Sequence, residues 1–217
     1  MNESFDGTKL KILQRTRDIF QNQGYNAPTM TSIADACGLT RRALYHHFRN
    51  KEEILRSLIV WGNMEARDRA DWAAQKALAR NDSTLDVIAD WLDSRFGYTR
   101  RAVVRTPYGE ELNQIAFSLC NDVMIEVSYE TNARLVALLN ELCRRGALSL
   151  KPGLSTTELA QVIGDGARGV NQQRPPVPAS EVAPRYRRIT QAILYGYADS
   201  KVKNADTLLQ GSERLSN

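Results

Sequence analysis

The chain has 217 residues, 29 Lys/Arg against 25 Asp/Glu, and 42% hydrophobic residues; it is long enough to bury a core and is neither a disordered nor a collagen-like composition. Its longest uninterrupted aliphatic run, Leu135–Leu139, falls far short of the roughly 20 apolar residues a membrane span needs, and its first residues lack the basic-then-apolar layout of a secretory signal. Three scattered cysteines (Cys37, Cys120, Cys143) and one adjacent histidine pair (His46, His47) argue against a disulfide framework and a His/Cys metal site, and for a reducing cytoplasm.

Apolar residues at helical spacing predict helices almost throughout. Ile12, Leu13, Thr16, Ile19 and Phe20 mark a first helix that Gly24 stops. Thr29 caps a short second helix carrying Met30, Ile33, Ala34 and Cys37, ended by Gly38. Thr40 caps a third, with Ala43, Leu44 and Phe48 turned inward. Asn50 opens a fourth over about residues 51–80, with Glu53 as its capping-box partner; it becomes heavily charged after Met64, as a connector would. Ser83 caps a segment bearing Leu85, Ile88, Ala89, Leu92 and Phe96, and Pro107 is expected to start another. Met124, Val127, Leu135, Leu138 and Leu142 form a stripe closed by Arg144, Arg145 and Gly146. Ser155 and Glu158 make a second capping box before Leu159, Val162, Ile163, Gly166 and Val170. Pro175, Pro176 and Pro178 break the chain, and Pro184 suits the first turn of a last helix bearing Tyr186, Ile189, Ile193 and Tyr197. Residues 200–217 are polar and aperiodic and are expected to form a flexible tail. With no strand alternation, the fold class is all-α.

The positive charge is local. Residues 1–56 hold nine Lys/Arg against six Asp/Glu, and Thr40–Lys51 carries Arg41, Arg42, Arg49 and Lys51 with no acid. Such a stripe is either a solvated basic face or a surface for a polyanion. The second and third helices, joined by Gly38-Leu39-Thr40, make a helix-turn-helix over about residues 29–48, since glycine permits the positive φ of a steep turn. A helix fits the major groove of DNA. Arg41 and Arg42 are then placed for guanine edges or phosphates, and Thr29, Thr40, Tyr45, His46 and Lys51 for phosphates. Each also has a plainer reading: Tyr45 as packing, the histidines and Lys51 as solvated, and the threonines as caps alone.

Gly24-Tyr25, Thr29-Met30, Ile33-Ala34, Gly38-Leu39-Thr40, Leu44-Tyr45-His46-His47-Phe48 and Asn50-Lys51-Glu52 together resemble the tetracycline-repressor (TetR) family of bacterial transcription regulators. The family pattern usually has glycine at Arg42, which alters the face turned to DNA, and alanine at Cys37. The resemblance implies a DNA-binding domain at residues 1–50 joined by a long helix to an effector-binding and dimerisation domain at 51–199. It further implies a homodimer on a palindromic double-stranded operator, most simply a repressor, released by a small-molecule effector, with no cofactor, metal or membrane. The dimer interface would use the last two long helices, through Leu159, Val162, Ile163, Gly166, Tyr186, Ile189, Ile193 and Tyr197. Trp61, Trp91, Phe96, Asn113, Phe117, Cys120 and Met124 are the candidate pocket residues, although aromatics at helical spacing also build cores. The alternative is an all-helical enzyme or ligand carrier with an incidental basic patch. No Ser/His/Asp set and no phosphate-cradling glycine loop supports it, and the expectation is that the protein is not an enzyme.

Overall fold

A computed structural model describes residues 6–199; the expected tail at 200–217 lies outside the described residues. Ten α-helices follow in order: α1 Gly7–Gln23, α2 Met30–Ala36, α3 Arg41–His47, α4 Lys51–Ala79, α5 Thr84–Leu92, α6 Tyr98–Arg105, α7 Gly109–Leu119, α8 Asn121–Arg144, α9 Thr156–Asn171 and α10 Val182–Tyr197. No strand occurs among the described residues, which hold only an isolated antiparallel bridge between Leu150 and Ala198. Nor is any helix among them long and apolar enough to cross a membrane.

Local chemistry sets the boundaries. Asp6 caps α1 by accepting the Thr8 and Lys9 amides at 2.9 and 2.7 Å. Thr29 and Ser32 cap α2 reciprocally, as Ser155 and Glu158 cap α9. At α4 the reciprocal bond is shifted by one residue: Asn50 accepts the Glu53 amide at 2.8 Å, while the Glu53 carboxylate takes the amide of Arg49, not of Asn50, at 2.6 Å. Pro107 does not itself start a helix; α7 begins two residues later, at Gly109. The Ser83-capped α5 runs through a π-helical stretch, Asp93–Gly97, directly into α6.

The helices pack as two compact units. The first takes the chain up to Glu65 together with Ala102–Val127. Its core joins Ile12, Leu13 and Phe20 of α1 to Ile33, Leu44, Phe48, Ile54, Trp61, Cys120 and Val123. Each fully buried Leu, Ile or Phe here contributes roughly 1.5–3 kcal/mol. The second comprises Ala66–Arg101 and the described residues from Ser128 to Asp199. It is built round Leu85, Ile88, Trp91 and Leu92 of α5, with Leu135, Leu139 and Leu142 of α8, Leu159 and Ile163 of α9, and Tyr186 and Leu194 of α10. This division does not follow the expected boundary at residue 50. The first half of α4, all of α7 and the first turns of α8 pack with the N-terminal helices, because Leu112, Ile115 and Cys120 add to their core.

Candidate nucleic-acid interface

The turn between α2 and α3 is built on Gly38, whose φ of +67° admits few side chains. Thr40 then starts α3, its hydroxyl accepting the Ala43 amide at 3.2 Å. Leu44 and the C-cap residue Phe48 are buried and fix the helix to the core. With those residues inward, Thr40, Arg41, Arg42, Tyr45 and His46 face solvent, and no acid lies between Thr40 and Lys51. Thr40, Arg42, Ala43, Tyr45, His46 and His47 line a shallow hollow of about 570 Å³.

The side chains on this face are partly organised. The Arg41 guanidinium sits 5.3 Å from the centre of the Tyr45 ring, with its Nη2 3.5 Å from the hydroxyl, a cation–π arrangement that holds both away from the core. Tyr45 is 40% exposed, so part of its ring packs and the rest is open to solvent. His46 and His47 meet edge to face at 5.5 Å. Thr29 is exposed at the start of α2, its hydroxyl engaged as a cap.

Lys51 stands apart from the others. Its ammonium donates to the carbonyl oxygens of Tyr25 and Asn26 at 2.8 and 3.1 Å and lies 4.8 Å from the Tyr25 ring. Partial burial holds its pKa below the usual lysine value. Two of its three donors thus close the α1–α2 turn, leaving at most one for a phosphate. Across the same turn the Glu111 carboxylate of α7 accepts the Tyr25 amide at 3.3 Å. Arg56 of α4 reaches the Leu119 carbonyl at 3.2 Å and pairs with Asp122 at the start of α8. These partners lie 63 to 86 residues apart, so no short-range spacing in the sequence could have disclosed them.

The pocket candidates fall into both compact units. Trp61 and Cys120 are core residues of the first unit, and Arg17 lies 4.4 Å over the Trp61 ring. Asn113 and Met124 are half-buried and Phe117 is exposed. In the second unit Trp91 is core and meets the half-buried Phe96 edge to face at 6.4 Å. Sequence reasoning overlooked Arg95 beside them. It is buried in the π-helical stretch, donates to Thr131 at 2.8 Å, and is pulled by burial to a pKa of about 10. Set between Asp93, Ser94 and Gly97, a charged residue gives no warning that it will face inward.

Three of the eight interface candidates need correction. Leu159, Ile163 and Tyr186 have 0% exposure within the single chain, so they cannot also supply area between chains. Tyr186 instead hydrogen-bonds Asn171. Val162, Gly166, Ile189, Ile193 and Tyr197 keep partial exposure on α9 and α10.

Two short capped helices at a glycine turn, the second presenting an acid-free cationic face, define a helix-turn-helix DNA-binding protein. Residues 12–58 match the family model described as bacterial regulatory proteins, tetR family. The chain is 34% identical over 163 residues to the HTH-type transcriptional regulator UidR of Escherichia coli K12, covering 75% of this chain and 79% of that protein. It is 28% identical over 113 residues to the HTH-type transcriptional repressor AcnR of Corynebacterium jeikeium, of whose length it spans 58%. Its fold is shared with SmeT, the repressor of the Stenotrophomonas maltophilia multidrug efflux pump SmeDEF, at a TM-score of 0.63 and 16% identity over 91% of this chain and 93% of that one. The chain belongs to the TetR family of bacterial transcription regulators. That membership sets aside the reading of a helical enzyme.

Proposed function

We propose that the protein represses transcription as a homodimer on a palindromic operator and leaves it when a small molecule binds beyond the reading head. In this reading residues 1–50 read DNA, with the motif at about 29–48, and residues 51–199 bind the effector and the second subunit, in the cytoplasm where the DNA is. The observation that carries it is the solvent-facing set Thr40, Arg41, Arg42, Tyr45 and His46 on one acid-free helix. Arg41 and Arg42 read base edges, while Tyr45, Thr40, Thr29, His46 and the remaining donor of Lys51 contact phosphates.

A seven-residue helix reaches only a few base pairs, so affinity and specificity require two copies about one helical turn, roughly 34–36 Å, apart. The half-exposed residues of α9 and α10, joined by Tyr195 at 76% exposure, supply the apolar area for pairing. The effector need only prefer a subunit spacing that DNA cannot accept. SmeT has been solved in complex with triclosan, which supports a small-molecule role for the fold. Of the pocket candidates, Asn113, Phe117 and Met124 in the first unit and, separately, Phe96 in the second keep surface to offer.

Selection from a random duplex pool, with the mass of the protein measured in solution, tests the reading. An inverted-repeat site and a two-chain mass are expected. A monomer, or indifference to every duplex at low ionic strength, overturns it.

A further inference from the structure

The α3 surface does not end at Thr40. The next residues back along the chain, Ala36, Cys37, Gly38 and Leu39, form one wall of a second open hollow of about 580 Å³. Its other wall is the outer face of α1: Thr8, Lys11, Gln14, Arg15 and Asp18, with Ile12 at its base. Thr8, Lys11 and Arg15 lie one helical turn apart in succession and are all exposed, and Asp18 is the one acid lining the hollow. Arg15 is close enough to Cys37 for its charge to act on the thiol, although burial dominates and raises that pKa. The two hollows share an edge at the consecutive residues Leu39 and Thr40.

We infer that α1 is a second DNA-backbone contact, with Lys11 and Arg15 holding phosphates of the strand that borders the groove occupied by α3. This rests on the reading of α3 as the helix in the major groove. A duplex seated on Thr40 and Arg42 carries its bordering backbone past Leu39, and phosphates follow one another along that strand every 3.4 Å of rise. Two flexible cations flanking the turn then meet a line of negative charge that continues beyond the bases α3 reads. Such contacts raise affinity for every sequence alike and carry no base information.

The salt dependence of operator binding tests this with the full-length protein. Log K falls with log salt by about 0.9 for each phosphate neutralised. Each substitution removes one contact per subunit, so Lys11→Gln and Arg15→Gln should each flatten the slope of dimer binding by about 1.8, and the double variant by about 3.6, with the preferred bases in a random-pool selection unchanged. Lys76→Gln, an exposed cation of α4 in the other compact unit, is the matched control and should leave the slope close to that of the parent. The inference is overturned if the α1 variants keep the parental slope on a duplex that the parent binds, or if Lys76→Gln flattens it equally. Failure of the parent itself to bind any duplex would instead sink the α3 reading, and this one with it.

Discussion

Tyr45 and Arg41 act as a pair, and the ring and the hydroxyl of Tyr45 do separable work. Tyr45→Phe keeps the ring beside the Arg41 guanidinium and removes only the oxygen. It should weaken binding to all sequences by about tenfold or more, since one hydrogen bond to a charged group is worth about 1.5–3 kcal/mol. Tyr45→Ala removes both and should cost more; a gel-shift titration that ranks the two the other way excludes the pairing. Arg42→Ala should change which bases a random-pool selection recovers, because Arg42 stands on the exposed face without an acid beside it. Asp122 gives a pH-dependent readout. The hydrogen bond from Arg56 holds its carboxyl below the usual aspartate value. The stability it lends is complete above the unfolded value and disappears as pH falls through the lower folded one. Asp122→Asn should therefore flatten the acid limb of an unfolding-versus-pH curve below about pH 4, and leave neutral-pH DNA binding largely as it was.

At the scale of elements, the termini were the most legible features in the sequence, because a cap is written within four residues. Thr29, Thr40, Ser83 and Ser155 each accept the expected amide. Ser155→Ala should cost about 1 kcal/mol in urea unfolding. The starts of α7 and α8 were less legible, since they depend on how the chain folds back rather than on a local signal. Gly109 is the case in point. A Cβ placed there would lie 2.0 Å from the Val103 carbonyl oxygen and 2.6 Å from the Thr106 hydroxyl, so a side chain must move backbone. Gly109→Ala should lower stability by about 1–3 kcal/mol or more, measurable as a drop in urea midpoint. The π-helical insert between α5 and α6 also had no cue in residue spacing, and it is what turns Arg95 inward.

At the scale of the molecule, the helical class and the helix-turn-helix at about residues 29–48 could be read from the chain, because recognition of DNA needs a short contiguous surface. The grouping of helices could not. Hydrophobic stripes state that a face is buried but not against what, and so Leu159, Ile163 and Tyr186, plausible between chains, are consumed within one. The acid-free face of α3 predicts steeply salt-dependent association. Raising salt from 50 to 200 mM should reduce operator affinity by at least about a hundredfold if five or more phosphates are engaged per dimer, which fluorescence anisotropy can check. The discontinuity of the first compact unit bears on how such proteins are recombined. A breakpoint at residue 50 would transplant the reading helices without Glu111, Leu119 and Asp122, the groups that brace the α1–α2 turn and the root of α4. Chimeras meant to pair this head with a foreign sensor should therefore carry residues 102–127 along with the first 65. A graft of the first fifty alone would uncover Ile12, Leu13, Phe20, Leu44 and Phe48, which share their core with Ile54, Trp61, Cys120 and Val123, and would be expected to aggregate rather than retarget.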